Sequence, residues 1–167
     1  GSYLMTMGTI PAWGLTPHPK YLSIVPMFHC NGWGHPWTMT ALAGTIVCCR
    51  YITAKAIFDA VDEHHITHFG GAPIVLGLLV NAPEEDRKPI ERTVQVMTAG
   101  APPPAAVLEN VEALGFEVTH VYGLTETFGH ITHCAWQDQW NDLEIGKKAE
   151  IKSRQGVRFP MMEGALV

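Results

Sequence analysis

The sequence predicts an α/β protein in which helices flank a mainly parallel β-sheet. Short apolar runs alternate with longer segments of helical periodicity, a pattern typical of strand–helix–strand units. These runs are continuously apolar, as expected of parallel strands that are buried on both faces. A length of 167 residues suits one domain, or one subdomain of a larger protein.

Residues 1–65 contain two predicted strands and two predicted helices. Residues 21–26 form a short apolar run closed by proline, which indicates a strand. Residues 31–44 have the length of a helix and end in glycine, a usual helix stop. Residues 45–50 are β-branched and apolar and include a cysteine pair, so we expect a second, buried strand. Apolar side chains recur at helical spacing over residues 54–65, and Thr53 is their candidate N-cap.

The alternation continues after residue 65. Further strands are predicted at residues 67–70, 94–98 and 117–121, with a final candidate at 131–136. Helices are predicted at residues 74–80 and 105–114, and Gly115 stops the second of them. The polar stretch at residues 81–92 is predicted to be a solvated loop.

Composition excludes some classes of function. Hydrophobic residues make up 47% and charged residues 16%, whereas globular domains carry about 25% charged residues. We therefore expect apolar faces that the remainder of a larger protein covers, or through which the chain self-associates. No run reaches the roughly 18 apolar residues of a membrane span. A net charge of -5 without a Lys/Arg cluster argues against nucleic-acid binding.

The four cysteines and the start of the chain bear on cellular location. No cysteine spacing matches a zinc ligand set, and reduced thiols favour the cytoplasm. The first seven residues lack a charged n-region, so no signal peptide is predicted.

Three turns follow predicted strands directly, at residues 26–32, 98–103 and 122–126. In open α/β sheets, ligands bind beyond the carboxyl ends of the strands. We therefore expect the side chains of these three turns to converge on one crevice.

The turn at residues 122–127 carries the clearest chemistry. The ring of Tyr122 can stack on a base, and Gly123 lets a backbone approach closely. Thr125 can donate to a phosphate oxygen, and Glu126 can hold Mg²⁺. Alternatively, Thr125 caps a helix and Glu126 complements the helix dipole.

The other two turns are less specific. Residues 98–104 end a strand on Gly100, which leaves room for a flat ligand, although an ordinary strand–helix loop has the same form. In residues 26–33, His29 could contact a carboxylate or a phosphate, although a lone histidine is more often structural. The other eight histidines are interpreted as structural.

Together, these segments resemble the adenylate-forming acyl-CoA synthetases. Residues 122–127 (YGLTET) are similar to the Tyr-Gly-x-Thr-Glu motif of that family, and residues 98–104 (TAGAPPP) to its adenine-side Gly-Ala-Pro turn. Residues 26–33 (PMFHCNGW) resemble its Pro-φ-φ-His motif in the form typical of medium-chain and methylmercaptopropionate-type ligases. Order and spacing also agree, so the resemblance covers nearly the whole chain.

The resemblance implies roles for individual residues. Tyr122 would pack on adenine, Thr125 would contact the α-phosphate, and Glu126 would bind Mg²⁺. His29 would stand near the substrate carboxylate and the α-phosphate, so the implied catalytic residues are Thr125, Glu126 and His29. The remaining implied nucleotide contacts are Gly100, Ala101, Pro102 and Gly123. The implied acyl pocket consists of His29, Trp33, Gly71, Ala72 and Pro73.

The resemblance also implies a two-step reaction with ATP, Mg²⁺ and coenzyme A. A fatty or other small carboxylic acid is activated as its acyl-adenylate and then transferred to the thiol. The family's phosphate loop and lysine-bearing C-terminal domain do not occur in residues 1–167. We therefore expect one α/β subdomain of the large N-terminal domain, inactive by itself.

The alternative is a non-catalytic nucleotide- or acyl-binding module. A hydrolase is disfavoured because no Gly-x-Ser-x-Gly motif occurs.

Overall fold

A single seven-stranded sheet organises the chain in the computed structural model, which describes residues 1–163. The strands are β1 (Lys20–Ser23), β2 (Thr45–Cys48), β3 (His68–Gly71), β4 (Val94–Thr98), β5 (Phe116–Leu124), β6 (Gly129–His133) and β7 (Val157–Arg158). Their order across the sheet is β2-β1-β3-β4-β5-β6-β7. The first five strands pair in parallel, and β6 and β7 are added antiparallel. The predicted mainly parallel α/β sheet is confirmed.

Helices and helical turns connect the strands. They are α1 (Ser2–Ala12), α2 (Cys30–Trp33), α3 (His35–Ala41), α4 (Ala54–His64), α5 (Pro73–Val80), α6 (Ala105–Ala113) and α7 (Ile145–Lys152). Short 3-10 turns lie at Glu84–Asp86, Thr125–Thr127 and Asp138–Trp140. Within residues 1–163, no helix has both the length and the apolar character to cross a membrane.

The core lies where α4, α5 and α6 cover the central strands. Phe69 of β3 and Val96 of β4 are fully buried, as are Leu76 of α5 and Leu108 of α6. The ring of Phe69 meets that of Phe116 edge-on at 5.8 Å. Burying a side chain of this size contributes about 1.5–3 kcal/mol. This packing fixes the strands whose carboxyl ends carry the predicted turns.

Thr53 caps α4 as predicted, because its Oγ1 accepts a hydrogen bond from the Ala56 N–H at 3.1 Å. We expect Thr53→Ala to lower the free energy of unfolding by about 1 kcal/mol. Urea denaturation measures this change, and Thr16→Ala is the control because Thr16 is also exposed but lies outside any helix. Equal stabilities of the two variants would contradict a capping role.

Two predicted elements in the first half were wrong in detail. Residues 31–44 are not one helix, because α2 and α3 are separated at Gly34, whose φ is 71°. Residues 45–50 were expected to be buried, but β2 is an edge strand and Cys48 is exposed. An apolar run predicts a strand, but it does not tell a central strand from an edge strand.

Helices α1 and α7 were not predicted, because neither shows a clear apolar stripe. Pro11 lies inside α1, and the buried residues of that helix include two threonines and a glycine. The strand predicted at residues 117–121 is longer than expected. β5 continues to Leu124 because β6 pairs with its last residues.

Candidate functional site

A cavity of about 450 Å³ opens at the carboxyl ends of β1, β3, β4 and β5. Its apolar wall consists largely of aliphatic side chains from these strand ends and the loops that follow them. The lining residues are Ile24, Val25, Pro26, His29, Cys30, Trp33, Ile52, Gly71, Ala72, Ile74, Val75, Ala99, Gly100, Gly123, Leu124, Thr125, Gly129 and His130. All three predicted turns therefore contribute to one crevice.

The cavity brings together seven of the residues singled out from the sequence. These are His29, Trp33, Gly71, Ala72, Gly100, Gly123 and Thr125. The five others are not among the residues that line it: Pro73, Ala101, Pro102, Tyr122 and Glu126. Four of them are adjacent in sequence to a lining residue, and Pro102 is two positions from Gly100.

Tyr122 and Gly100 lie at the same edge of the sheet. β4 and β5 pair in parallel with Thr98 opposite His120, so each residue stands two positions beyond that pair. Tyr122 is half-buried within β5 and pairs with Thr132 of β6. Gly100 has a φ of 97°, and a Cβ built on it would meet no atom within 4 Å. A flat group therefore has room beside the Gly100 backbone.

The motif at residues 122–127 does not begin a helix. β5 leads into the 3-10 turn Thr125–Thr127, and Phe128 at a φ of 53° returns the chain into β6. The alternative role of Thr125 as a helix N-cap is therefore wrong, because Leu124 is the N-cap residue, whereas Glu126 does lie in the first turn of this short 3-10 element.

Thr127 holds this turn together. The Leu124 N–H donates to Thr127 Oγ1 at 3.0 Å. A Cβ on Gly123 would overlap the carbonyl oxygen of Gly129, so only glycine fits where β5 and β6 meet. Thr127 thus fixes the turn in which Thr125 lines the cavity.

A left-handed turn follows β1 and forms another part of the wall. Residues Cys30 to Gly34 have φ values of 42°, 52°, 64°, 57° and 71° in order. The Trp33 N–H closes the turn by donating to the His29 carbonyl oxygen at 3.0 Å. Three of the five residues are not glycine, and left-handed backbone costs L-residues roughly 1–2 kcal/mol each. Unfavourable backbone of this kind concentrates at functional sites.

Buried imidazoles lie behind this turn. His130 lines the cavity and is 2% exposed. The indole of Trp33 meets it edge-on at 5.8 Å between ring centroids. The fully buried His35 lies deeper, where its Nδ1 is hydrogen-bonded to the Tyr21 hydroxyl at 2.8 Å. No sequence motif distinguishes His130 from the histidines interpreted as structural.

Burial keeps these imidazoles neutral. Desolvation, followed by the neighbouring His130 and His68, holds the pKa of His35 well below its ordinary 6.5. Desolvation and the nearby His133 lower the pKa of His130 to about 4. The inner wall of the cavity therefore carries no charge from either group at neutral pH.

Comparison with known proteins points to one family. Residues 2–166 match the family described as AMP-binding enzyme. The chain is 50% identical over 157 residues to 2-methylpropanoate–CoA ligase CCL4 of Humulus lupulus, covering 94% of this chain and 28% of that protein. It is 46% identical over 164 residues to the peroxisomal acetate/butyrate–CoA ligase AAE7 of Arabidopsis thaliana, covering 98% of this chain and 29% of that protein. The chain thus spans less than a third of these relatives.

The fold is also that of a solved synthetase. The structure of O-succinylbenzoate coenzyme A synthetase from Bacillus subtilis, in complex with ATP and magnesium ion, superposes with a TM-score of 0.72 at 19% identity. The match covers 95% of this chain and 31% of that one.

Proposed function

Because this chain belongs to the AMP-binding enzyme family, we propose that it is part of an ATP-dependent acyl-CoA ligase. The full-length protein would activate a carboxylic acid as its acyl-adenylate and transfer the acyl group to coenzyme A. The observation that carries the proposal is the convergence of His29, Gly100, Gly123 and Thr125 on one cavity. Named CoA ligases at 46–50% identity support it.

The nucleotide would bind along the ends of β4 and β5. Gly100 leaves an open backbone surface at the same edge of the sheet as Tyr122, and adenine would lie between them. Ala101, Pro102 and Gly123 would complete this side. Thr125 would donate a hydrogen bond to an α-phosphate oxygen, because its hydroxyl is not needed to hold the turn.

Mg²⁺ would be held by Glu126. This residue is exposed at the middle of its 3-10 turn, and no ion pair within residues 1–163 involves it. Those residues contain no cluster of three or more protein ligands. Mg²⁺ is commonly held by one or two carboxylates together with substrate phosphates and water, so a lone carboxylate beside a nucleotide fits. When bound, the ion offsets the charge that develops as pyrophosphate leaves.

The acid would occupy the apolar part of the cavity, among His29, Trp33, Gly71 and Ala72, with Pro73 behind them. A volume of about 450 Å³ falls within the range of small-molecule sites. The aliphatic wall favours an alkyl chain, and His29, which precedes the left-handed turn, would stand where the carboxylate meets the α-phosphate. We infer a small aliphatic acid as substrate.

The two steps follow from this arrangement. A carboxylate oxygen attacks the α-phosphorus, and the bond to pyrophosphate breaks. The coenzyme A thiol then attacks the acyl carbon, and AMP leaves. Holding the two reactants in line supplies most of the catalysis of such steps, together with charge neutralisation. Thr125, Glu126 and His29 would be the catalytic residues.

The experiment that tests the proposal is ATP–pyrophosphate exchange by the purified full-length protein with acetate, butyrate and hexanoate. We expect exchange that depends on both the acid and Mg²⁺, followed by acyl-CoA formation when coenzyme A is added. Binding of AMP without acid-dependent exchange would instead support the non-catalytic module. Residues 1–167 by themselves are proposed to be inactive, because they span less than a third of the named relatives.

We further infer that the remainder of the parent enzyme covers the exposed apolar side chains around the cavity mouth. Phe28 is 81% exposed and Ile74 is 74% exposed. Self-association through these faces is the alternative, and sedimentation of the full-length protein tells the two apart.

The cytoplasmic location also stays a proposal. It rests on four free cysteines, whereas one relative is named as peroxisomal, so imaging of the tagged full-length protein tests it.

A further inference from the structure

Gly70, in β3, is packed directly behind the inner wall of the cavity. It is buried, and the next residue, Gly71, lines the cavity while Gly70 does not. A Cβ built on Gly70 would lie 2.8 Å from His35 Cε1 and 3.1 Å from Trp33 Cε3. Contacts under 3.0 Å are essentially absent from real packing, so a side chain here would displace one of the two rings.

His35 cannot be the ring that yields. It is 0% exposed, and its Nδ1 is hydrogen-bonded to the Tyr21 hydroxyl. Its ring also lies against the indole of Trp13, with 4.8 Å between the ring centroids. Moving His35 would require the surrounding core to move as well, because protein interiors are close-packed.

Trp33 has free space on one side only. Its indole is half-buried and lines the cavity, with His35 at 6.0 Å and His130 at 5.8 Å between ring centroids. The left-handed turn fixes its backbone through the hydrogen bond to the His29 carbonyl oxygen. A side chain introduced at position 70 would therefore tilt the indole into the cavity.

We infer that Gly70 determines acid length: its missing side chain lets Trp33 lie back against His35, and this sets the depth of the cavity. The inference rests on the proposed function, since it assigns the acyl chain to this cavity. Gly70 touches no substrate and acts through Trp33, so it is a positioning residue.

The test is the chain-length profile of the full-length protein. We expect Gly70→Ala to lower kcat/KM for hexanoate relative to acetate by at least about tenfold, since one methylene of pocket space discriminates 10- to 200-fold. The double variant Gly70→Ala/Trp33→Phe should recover kcat/KM for hexanoate, because the smaller ring makes room for the added methyl group. Gly77→Ala is the matched control: Gly77 lies in α5, and a Cβ there would meet no atom within 4 Å.

A second variant keeps the test decisive. If a thermal melt shows that Gly70→Ala does not fold, Trp33→Phe alone is measured. Its kcat/KM for hexanoate should rise relative to that for acetate. If Gly70→Ala folds and its chain-length profile is unchanged, the inference is overturned. If Gly70→Ala does not fold, an unchanged profile in Trp33→Phe overturns it. No acid-dependent exchange by the unmodified protein contradicts the proposed function itself, so the two failures are distinguishable.

Discussion

Replacing Glu126 by glutamine in the full-length protein is expected to slow acid-dependent ATP–pyrophosphate exchange by about 10²- to 10³-fold, the loss usual when one preorganised electrostatic contact is removed. Glu126 stands in a 3-10 turn beside Thr125, which lines the cavity. Mg²⁺ is a hard cation that prefers anionic oxygen ligands to a neutral amide. The 3-10 turn has only three residues and no α-helix follows it directly, so the carboxylate has no α-helix dipole to complement.

The measurement is exchange across a Mg²⁺ titration, beside a thermal melt. We expect Glu126→Gln to need more Mg²⁺ and to melt as the unmodified protein does. Glu85→Gln is the matched control, because Glu85 also lies exposed at the middle of a 3-10 turn, Glu84–Asp86. A normal rate and normal Mg²⁺ dependence in Glu126→Gln would remove Glu126 from the metal site.

Acid is expected to destabilise the 167-residue chain by several kcal/mol as the pH falls from about 6.5 to about 4, since each pKa unit is worth about 1.4 kcal/mol. Burial lowers the pKa of both His68 and His130 from 6.5 to about 4 in the folded chain. In the unfolded chain, imidazoles have their ordinary pKa and take up protons first. The unfolded state therefore binds more protons throughout this window, and stability falls as the pH falls.

Urea denaturation at pH 7, 6, 5 and 4.5 measures this dependence. His130→Gln should flatten the slope, because one of the buried imidazoles with a lowered pKa is gone. His64→Gln is the control for loss of an exposed imidazole, at the end of α4. If His130→Gln keeps the full slope of the unmodified chain, His130 does not contribute to acid unfolding.

The central part of the sheet could be predicted from the sequence because its signals are local. Residues 94–98 are apolar and β-branched, and they form β4 with the predicted bounds. The predicted helix at residues 54–65 agrees with α4 to within one residue, since an N-cap and a regular apolar stripe mark it. Both elements carry their information within a dozen residues.

Other parts depend on contacts that no local pattern contains. The exposure of β2 follows from its place at the edge of the sheet. The extension of β5 through Tyr122 requires β6 as a partner. The motif residues of the candidate site were found from their positions after strands, but His130 enters the cavity wall only because β6 folds back beside β5. Its role is a property of the hairpin rather than of its sequence neighbours.

The left-handed turn from Cys30 to Gly34 reverses the usual rules of substitution. In an ordinary helix, glycine weakens the backbone and alanine strengthens it. Here the backbone is left-handed, and glycine is the one residue type that adopts left-handed and right-handed conformations about equally well. Asn31→Gly would therefore lower the conformational strain of the backbone, whereas Gly32→Ala would increase it. Along this wall of the cavity, tolerance to mutation is governed by handedness before size or polarity.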